Sequence, residues 1–287
     1  MFAITGITGQ VGGVVARQLL GQKKSVRAVV RDAAKGALWA AQGCDLALAT
    51  VEDSAALERA FTGMEGVFIL LPPTFDPSAG YPEARAAIAS IKAALLAAKP
   101  GKVVCLSTIG ARATQTNLLN QLGLLEEALS DLPMPVAFLR AGWFMENAVW
   151  DVAPARDGMI PSYLQPLDKP VAMVATADVG SVAAELLLEE WSGVRIVELE
   201  GPKRVTPLEI AACFGKLLGR EVKTEAVPRF TWNDLFLSQG MRNPLPRMQM
   251  LDGFNEGWID FASGRDGTRK GVVALETVLQ ELIKRVA

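Results

Sequence analysis

The chain of 287 residues contains no histidine. That removes Ser–His and Cys–His catalytic pairs, together with the commonest side-chain ligand for zinc and other transition metals, so no metal site is expected. Tyrosine is nearly absent, with only Tyr81 and Tyr163. The three cysteines, Cys44, Cys105 and Cys213, are far apart, odd in number and without a C-x-x-C pair. They read as small apolar groups buried in a protein of a reducing compartment. No apolar run is long enough to cross a bilayer: the most apolar helical stretch, Ala86–Ala98, is short and carries Lys92. A charged leader is also missing, and the first strand begins at once, so the expected location is the cytoplasm. Neither sign of charge dominates. With 29 Lys and Arg against 31 Asp and Glu, the net charge of −2 leaves no footprint for nucleic acid. Arg265, Arg269 and Lys270, diluted by Asp266, read as a solvated loop. Half the residues are hydrophobic, which is globular composition.

The first dozen residues organise the rest. Phe2-Ala3-Ile4-Thr5 suits a strand buried on both faces. Gly6-Ile7-Thr8-Gly9-Gln10-Val11-Gly12 follows, and Val14 to Leu20 reads as helix. Strand, glycine turn and helix in that order form the context of a dinucleotide-binding site. Gly6 lets the chain reverse, Gly9 leaves room for a pyrophosphate against the backbone, and Gly12 lets the helix lie close on the strand. The free N–H groups at the start of the helix, from Thr8 through Gln10 and Val11 to Gly12, would face the phosphates. The spacing is G-x-x-G-x-x-G, similar to the turn of short-chain dehydrogenases/reductases.

Strand and helix signals then alternate: strands at 25–30, 44–49, 66–71, 102–107 and 135–139, with helices between them. Asp32 and Asp53 stand where helix caps belong. The pattern predicts an α/β fold, a Rossmann-type doubly wound parallel sheet, over residues 1–140. Beyond Arg140 the rhythm breaks. Residues 141–287 are expected to form a smaller, mainly helical second lobe, with a strand near 194–200 returning to the sheet. Helices are predicted at 179–190, 206–218, 231–240 and 272–286, with Asp178 as an N-cap.

Four segments carry a family resemblance: the glycine turn; Val26-Arg27-Ala28-Val29-Val30-Arg31; Val103 to Ala111, reading VVCLSTIGA; and Leu139 to Asn147, reading LRAGWFMEN. With Gly201-Pro202, Val205-Thr206 and Leu217-Leu218-Gly219, the chain resembles the NmrA-like family of atypical short-chain dehydrogenases over most of its length. That family includes both quinone reductases and NADP-sensing regulators. By position the resemblance places Leu71 and Pro72 beside the nucleotide ribose, Thr50 near the adenine, and Gly142, Trp143 and Phe144 beside the nicotinamide and substrate; core packing between the lobes explains the two aromatics equally well. It makes Glu146 and Asn147 structural. Ser107 stands at the carboxyl end of the fifth strand, where open α/β sheets bind ligands; a strand-end hydroxyl bonded to backbone explains it as well.

An NAD site places an acid at the end of the second strand, whereas this chain has Arg31, with Lys35 one helical turn on. A guanidinium pairs with a 2′-phosphate, so NADP(H) is the expected cofactor, although Asp32 keeps NAD open. The Tyr-x-x-x-Lys pair of active short-chain dehydrogenases is absent: Tyr81 and Tyr163 precede Arg85 and Leu167 at that spacing, and aligning Glu126 with the family's glutamate puts Leu122 where many relatives have lysine. Two functions remain open. One is an NADPH-dependent quinone reductase acting on a small apolar substrate. The other is a non-catalytic NADP(H) redox sensor working through a protein partner. Self-association is a default expectation that no stretch localises.

Overall fold

The computed structural model describes residues 1–264 and 266–286. In its first half, strands and helices alternate: β1 (Phe2–Thr5), α1 (Gln10–Gly21), β2 (Val26–Val30), α2 (Ala33–Ala41), β3 (Asp45–Leu48), α3 (Ser54–Phe61), β4 (Gly66–Ile69), α4 (Pro82–Ala98), β5 (Val103–Thr108), α5 (Asn120–Leu129) and β6 (Val136–Ala141). Then come β7 (Trp143–Phe144), a 3-10 stretch (Met145–Asp151), α6 (Val152–Asp157), β8 (Met159–Ser162), β9 (Met173–Val174), α7 (Thr176–Leu188) and β10 (Val194–Glu200). The chain ends with α8 (Pro207–Leu218), β11 (Lys223–Ala226), α9 (Trp232–Ser238), α10 (Leu245–Glu256), β12 (Arg269–Lys270) and α11 (Leu275–Arg285).

Eight strands form one parallel sheet in the order β12-β10-β6-β5-β4-β1-β2-β3. The reversal of strand order between β1 and β4 makes that crevice the switch point of a doubly wound sheet. Alternating side chains divide between two cores. Phe2 and Ile4 join α1, α2 and α7 on one face, and Ala3 joins α3, α4 and α5 on the other. A third core, built on Trp232, Phe236, Phe214 and Phe254, fills the lobe of α8–α11. Helix α7 belongs to the sheet: it packs along α1 so closely that a Cβ on Gly180 would overlap Val14.

Two readings are corrected. Arg269 and Lys270 are not a solvated loop; they form β12 at the sheet edge, where Arg269 pairs with Glu185 and Lys270 with Glu200. Arg265 lies outside the described residues. Asp178 does not cap α7, because the helix starts at Thr176; from its first turn Asp178 accepts the Val273 N–H at 3.0 Å. The start of α7 is instead met by Glu146, whose carboxylate accepts the Thr176 N–H (2.9 Å) and hydroxyl (2.6 Å), in keeping with a structural role. Asp32 and Asp53 do cap α2 and α3, each accepting an N–H at 2.9 Å.

A buried ionic chain crosses the sheet beneath its carboxyl edge. Arg140 on β6 makes a two-pronged contact with Glu126 of α5 (2.8 and 2.5 Å) and reaches Glu198 of β10 at 3.3 Å. Ser107 of β5 donates to Glu126 at 2.6 Å, and Glu198 accepts from Ser263. The hydrogen bonds that Arg140 donates to Glu126 hold its pKa above its ordinary value despite desolvation. Burial alone would raise the Glu198 carboxyl, but the Ser263, Ala262 and Arg140 bonds bring it below the usual range. Arg140→Met should leave two carboxylates facing each other without a counter-charge. We expect a loss of about 3–5 kcal/mol in urea unfolding, with the midpoint shifted and the slope unchanged.

Candidate functional site: the carboxyl edge between β1 and β4

Gly6 turns the chain out of β1 with φ +63°, a conformation that L side chains rarely adopt. A Cβ on Gly12 would overlap the Gly6 carbonyl, so α1 can start this close to the turn only without one. Gly9 is different. Its φ is −90°, and an added Cβ would meet only the Gly6 oxygen, at 3.3 Å. A side chain at Gly9 therefore asks the Gly6 carbonyl to give by a few tenths of an ångström, a smaller demand than at Gly12, and a larger one would fill the space over the turn. Thr8, Gly9 and Gln10 are exposed there, while Val11 and Gly12 are buried. The intrahelical ladder opens with Gly13 N–H to Gly9 O (3.0 Å), leaving the N–H groups of Gln10, Val11 and Gly12 ahead of it.

Thr5, which the sequence did not single out, sits in the crevice itself. Its hydroxyl donates to Phe68 O (3.0 Å) and accepts the Leu70 N–H (2.8 Å), holding β1 and β4 where they diverge. Arg31, just past the end of β2, and Lys35, in the first turn of α2, are both exposed. Asp32 beside them caps α2, its Oδ1 accepting the Ala34 N–H at 2.9 Å. Thr50 is exposed past the end of β3, and Pro72 is exposed past β4, so these groups share one edge of the sheet.

Other positions are brought to the edge with their side chains turned inward. Leu71 is buried. Ser107 is 2% exposed and bonded to the Glu126 carboxylate, which corrects the backbone-bonded alternative and keeps its hydroxyl in the ionic chain. Gly142 is buried, and a Cβ there would lie 2.7 Å from Ala172 O, so close strand packing is enough to explain this glycine. Trp143 and Phe144 are half-buried and point into different cores: Trp143 meets Phe254 of α10 edge to face at 5.2 Å, and Phe144 packs with the sheet. These two residues thus form the step between sheet and lobe.

Neither tyrosine is poised for proton transfer. The Tyr81 hydroxyl donates to Asn117 O at 2.8 Å, and burial pushes its pKa up. Tyr163 stacks against Trp232 and Phe236 in the lobe. The thiol of Cys105 is fully buried and its pKa is driven far up by desolvation, which leaves it inert; Cys44 is also buried, whereas Cys213 is only half-buried.

The fold and this edge define a class: a dinucleotide-binding α/β protein with its site at the switch point of a parallel sheet. The chain belongs to the NmrA-like family, whose model matches residues 1–269. It is 28% identical over 251 residues to Quinone oxidoreductase 2 of Escherichia coli strain K12, covering 86% of this chain and 85% of that one. It is 26% identical over 257 residues to an NAD(P)H azoreductase of Xenophilus azovorans, covering 89% and 85%. The solved structure of an NADPH-dependent quinone oxidoreductase from Escherichia coli, complexed with NADPH, superposes with a TM-score of 0.81 at 24% identity, over 100% of this chain and 99% of the other.

One carboxyl near this step titrates abnormally. Asp151 ends the 3-10 stretch that packs on α11, and no hydrogen bond or ion pair from the described residues reaches it; burial raises its pKa to about 7. An unfolded aspartate titrates near 3.9. Between those values the folded state holds the extra proton, so this group's contribution to stability is full below about pH 4 and is lost as pH rises through about 7. Asp151→Asn should therefore stabilise the protein by about 2–4 kcal/mol at pH 8 and by much less at pH 4, measured by thermal unfolding at the two pH values.

Proposed function

We propose that the protein is an NADPH-dependent reductase of quinones or similar flat conjugated acceptors. Residues 1–140 with the returning strand carry the cofactor, and residues 141–287 complete the substrate side. The observation that carries this reading is an apolar step, Trp143–Phe144, at the edge of a dinucleotide turn with no positioned proton donor among the described residues. Similarity to a quinone oxidoreductase and an azoreductase supports it.

When bound, the reduced nicotinamide supplies a hydride. The backbone from Thr8 to Gly12 receives the pyrophosphate at the positive end of α1. Arg31 and Lys35 supply charge for a 2′-phosphate, and Arg31 stands at the end of β2 where an NAD site places an acid. Thr5 ties the end of β1 to β4, which orients the turn against the end of β4. Trp143 and Phe144 exclude water on the acceptor side and offer a flat apolar wall. A quinone that accepts hydride becomes a hydroquinone anion stabilised by its ring, and that anion takes its proton from water once it leaves the apolar wall. No Tyr–Lys acid is needed for that step. Three free cysteines suit a reducing, cytoplasmic setting.

Two measurements test the reading. Calorimetric titration should give tighter binding of NADPH than NADH, and Arg31→Ala should remove about 1.5–3 kcal/mol from NADPH binding alone. Gly9→Val should fold with the Gly6 carbonyl displaced by a few tenths of an ångström and fail to bind either nucleotide. NADPH oxidation should be sustained by 1,4-benzoquinone and should fall on Trp143→Ala or Phe144→Ala. Tight cofactor binding without turnover of any quinone would reject the reductase in favour of a redox sensor.

A further inference from the structure

Arg247, in the first turn of α10, is a half-buried cation that no carboxylate of the described residues meets. Its guanidinium lies over the Phe236 ring at 4.5 Å, and one N–H points at the Met241 sulfur, a weak acceptor, at 3.8 Å. Buried arginines elsewhere in the chain are paired, Arg140 with two glutamates and Arg204 with Glu200 and Asp260. Burial lowers the Arg247 pKa below the ordinary guanidinium value, the cost of holding a charge without a partner.

Its place in the fold gives that unmet charge a use. The Asp76 carboxylate, in the stretch leaving β4, accepts the N–H groups of Arg242 (2.9 Å) and Asn243 (2.8 Å). The Leu118 N–H, in the stretch leaving β5, donates to Pro246 O at 2.9 Å. The chain entering α10 is thus tied to both segments that leave the carboxyl edge of the sheet at β4 and β5. Arg247 follows immediately. Seven residues along the same helical stripe, about 10 Å at the helical rise, stands Phe254, which meets Trp143.

We propose that Arg247 is a specificity-determining residue that receives an anionic group, a sulfonate, carboxylate or phosphate, carried by a flat conjugated substrate lying along the Trp143 step. This rests on the reductase reading above. Arginine suits the role because its planar fork bonds two oxygens of such a group while its face stays on Phe236.

The test compares 1,2-naphthoquinone-4-sulfonate with uncharged 1,2-naphthoquinone as acceptors for the NADPH-loaded protein. The readout is the ratio of their kcat/KM values. Arg247→Met, which keeps an apolar stem over Phe236, should lower that ratio about tenfold or more through KM for the sulfonate. Arg247→Lys should restore part of it, and added salt should lower the ratio of the parent protein. A ratio unchanged in Arg247→Met would overturn the proposal and leave the arginine a packing residue. Absence of turnover with both quinones rejects the reductase reading separately. In that case calorimetry of naphthalene-2-sulfonate on the NADPH-loaded protein decides: weaker binding by Arg247→Met supports the assignment, and equal binding, or none by the parent protein, overturns it.

Discussion

The guanidinium of Arg140 is the point on which the carboxyl edge of the sheet depends. It sits in an otherwise apolar strand and joins a helix to three neighbouring strands through Glu126, Ser107 and Glu198. A buried charge of this kind is costly unless each partner is met, and here Glu198 is also bonded by Ala262 and Ser263. The chain therefore ties α5, β5, β6 and β10 to the segment that leads into β12. Ser107 lies at the position that open α/β sheets use for ligands, yet its hydroxyl serves this chain. Its contribution to the site is the fixed position of the strand end.

The glycines of the first turn divide by cause. Gly6 answers a backbone requirement and Gly12 a packing requirement, both of which any strand–turn–helix of this shape imposes. Gly9 asks for less: its φ is negative, and a Cβ there would meet only the Gly6 oxygen, at 3.3 Å. A position where the fold's own demand for glycine is mild, at the mouth of a helix with its leading N–H groups ahead of the ladder, leaves a ligand to account for the rest. That separation gives more weight to a ligand than the three-glycine spacing does alone.

What was legible in the sequence follows from what is local. Strands buried on both faces read as continuous apolar runs, so β1, β2, β4, β5 and β6 were visible, as were the Asp32 and Asp53 caps. Helix α10 was not, because Pro246, Met248, Met250, Leu251, Gly253 and Phe254 are buried around most of its circumference and leave no clean stripe. The two-residue β12 was read as solvated loop, since its ion-pair partners Glu185 and Glu200 are distant in sequence. Asp178 was misread because acidic residues suit both the cap and the first turn, and only the tertiary bond from Val273 separates the two. At the site, the turn and Arg31 were readable as chemistry. The commitment of Ser107 to Glu126, the crevice bond of Thr5 and the isolation of Arg247 depend on residues 14 or more positions away or on packing, and no local pattern carries them.

The two tyrosines show how a reductase can be built on this fold without a proton donor. An active tyrosine acid needs a neighbouring cation that lowers its pKa and a hydroxyl free to reach substrate. Tyr81 has neither: its hydroxyl is given to Asn117 O, and its surroundings push the pKa up. Its side chain anchors the start of α4 to the stretch before α5, a structural use of the residue type that the chemistry no longer requires. Tyr163 likewise serves the aromatic core beneath Arg247. With both phenols engaged in packing, the crevice suits acceptors whose reduced form needs no acid. An alcohol–ketone couple, whose alkoxide must be protonated as it forms, falls outside that set. On the proposed reductase reading, the chemistry is thereby bounded by the acceptor's own electronic structure, and the protein's part is to hold a flat partner close to the carboxyl edge.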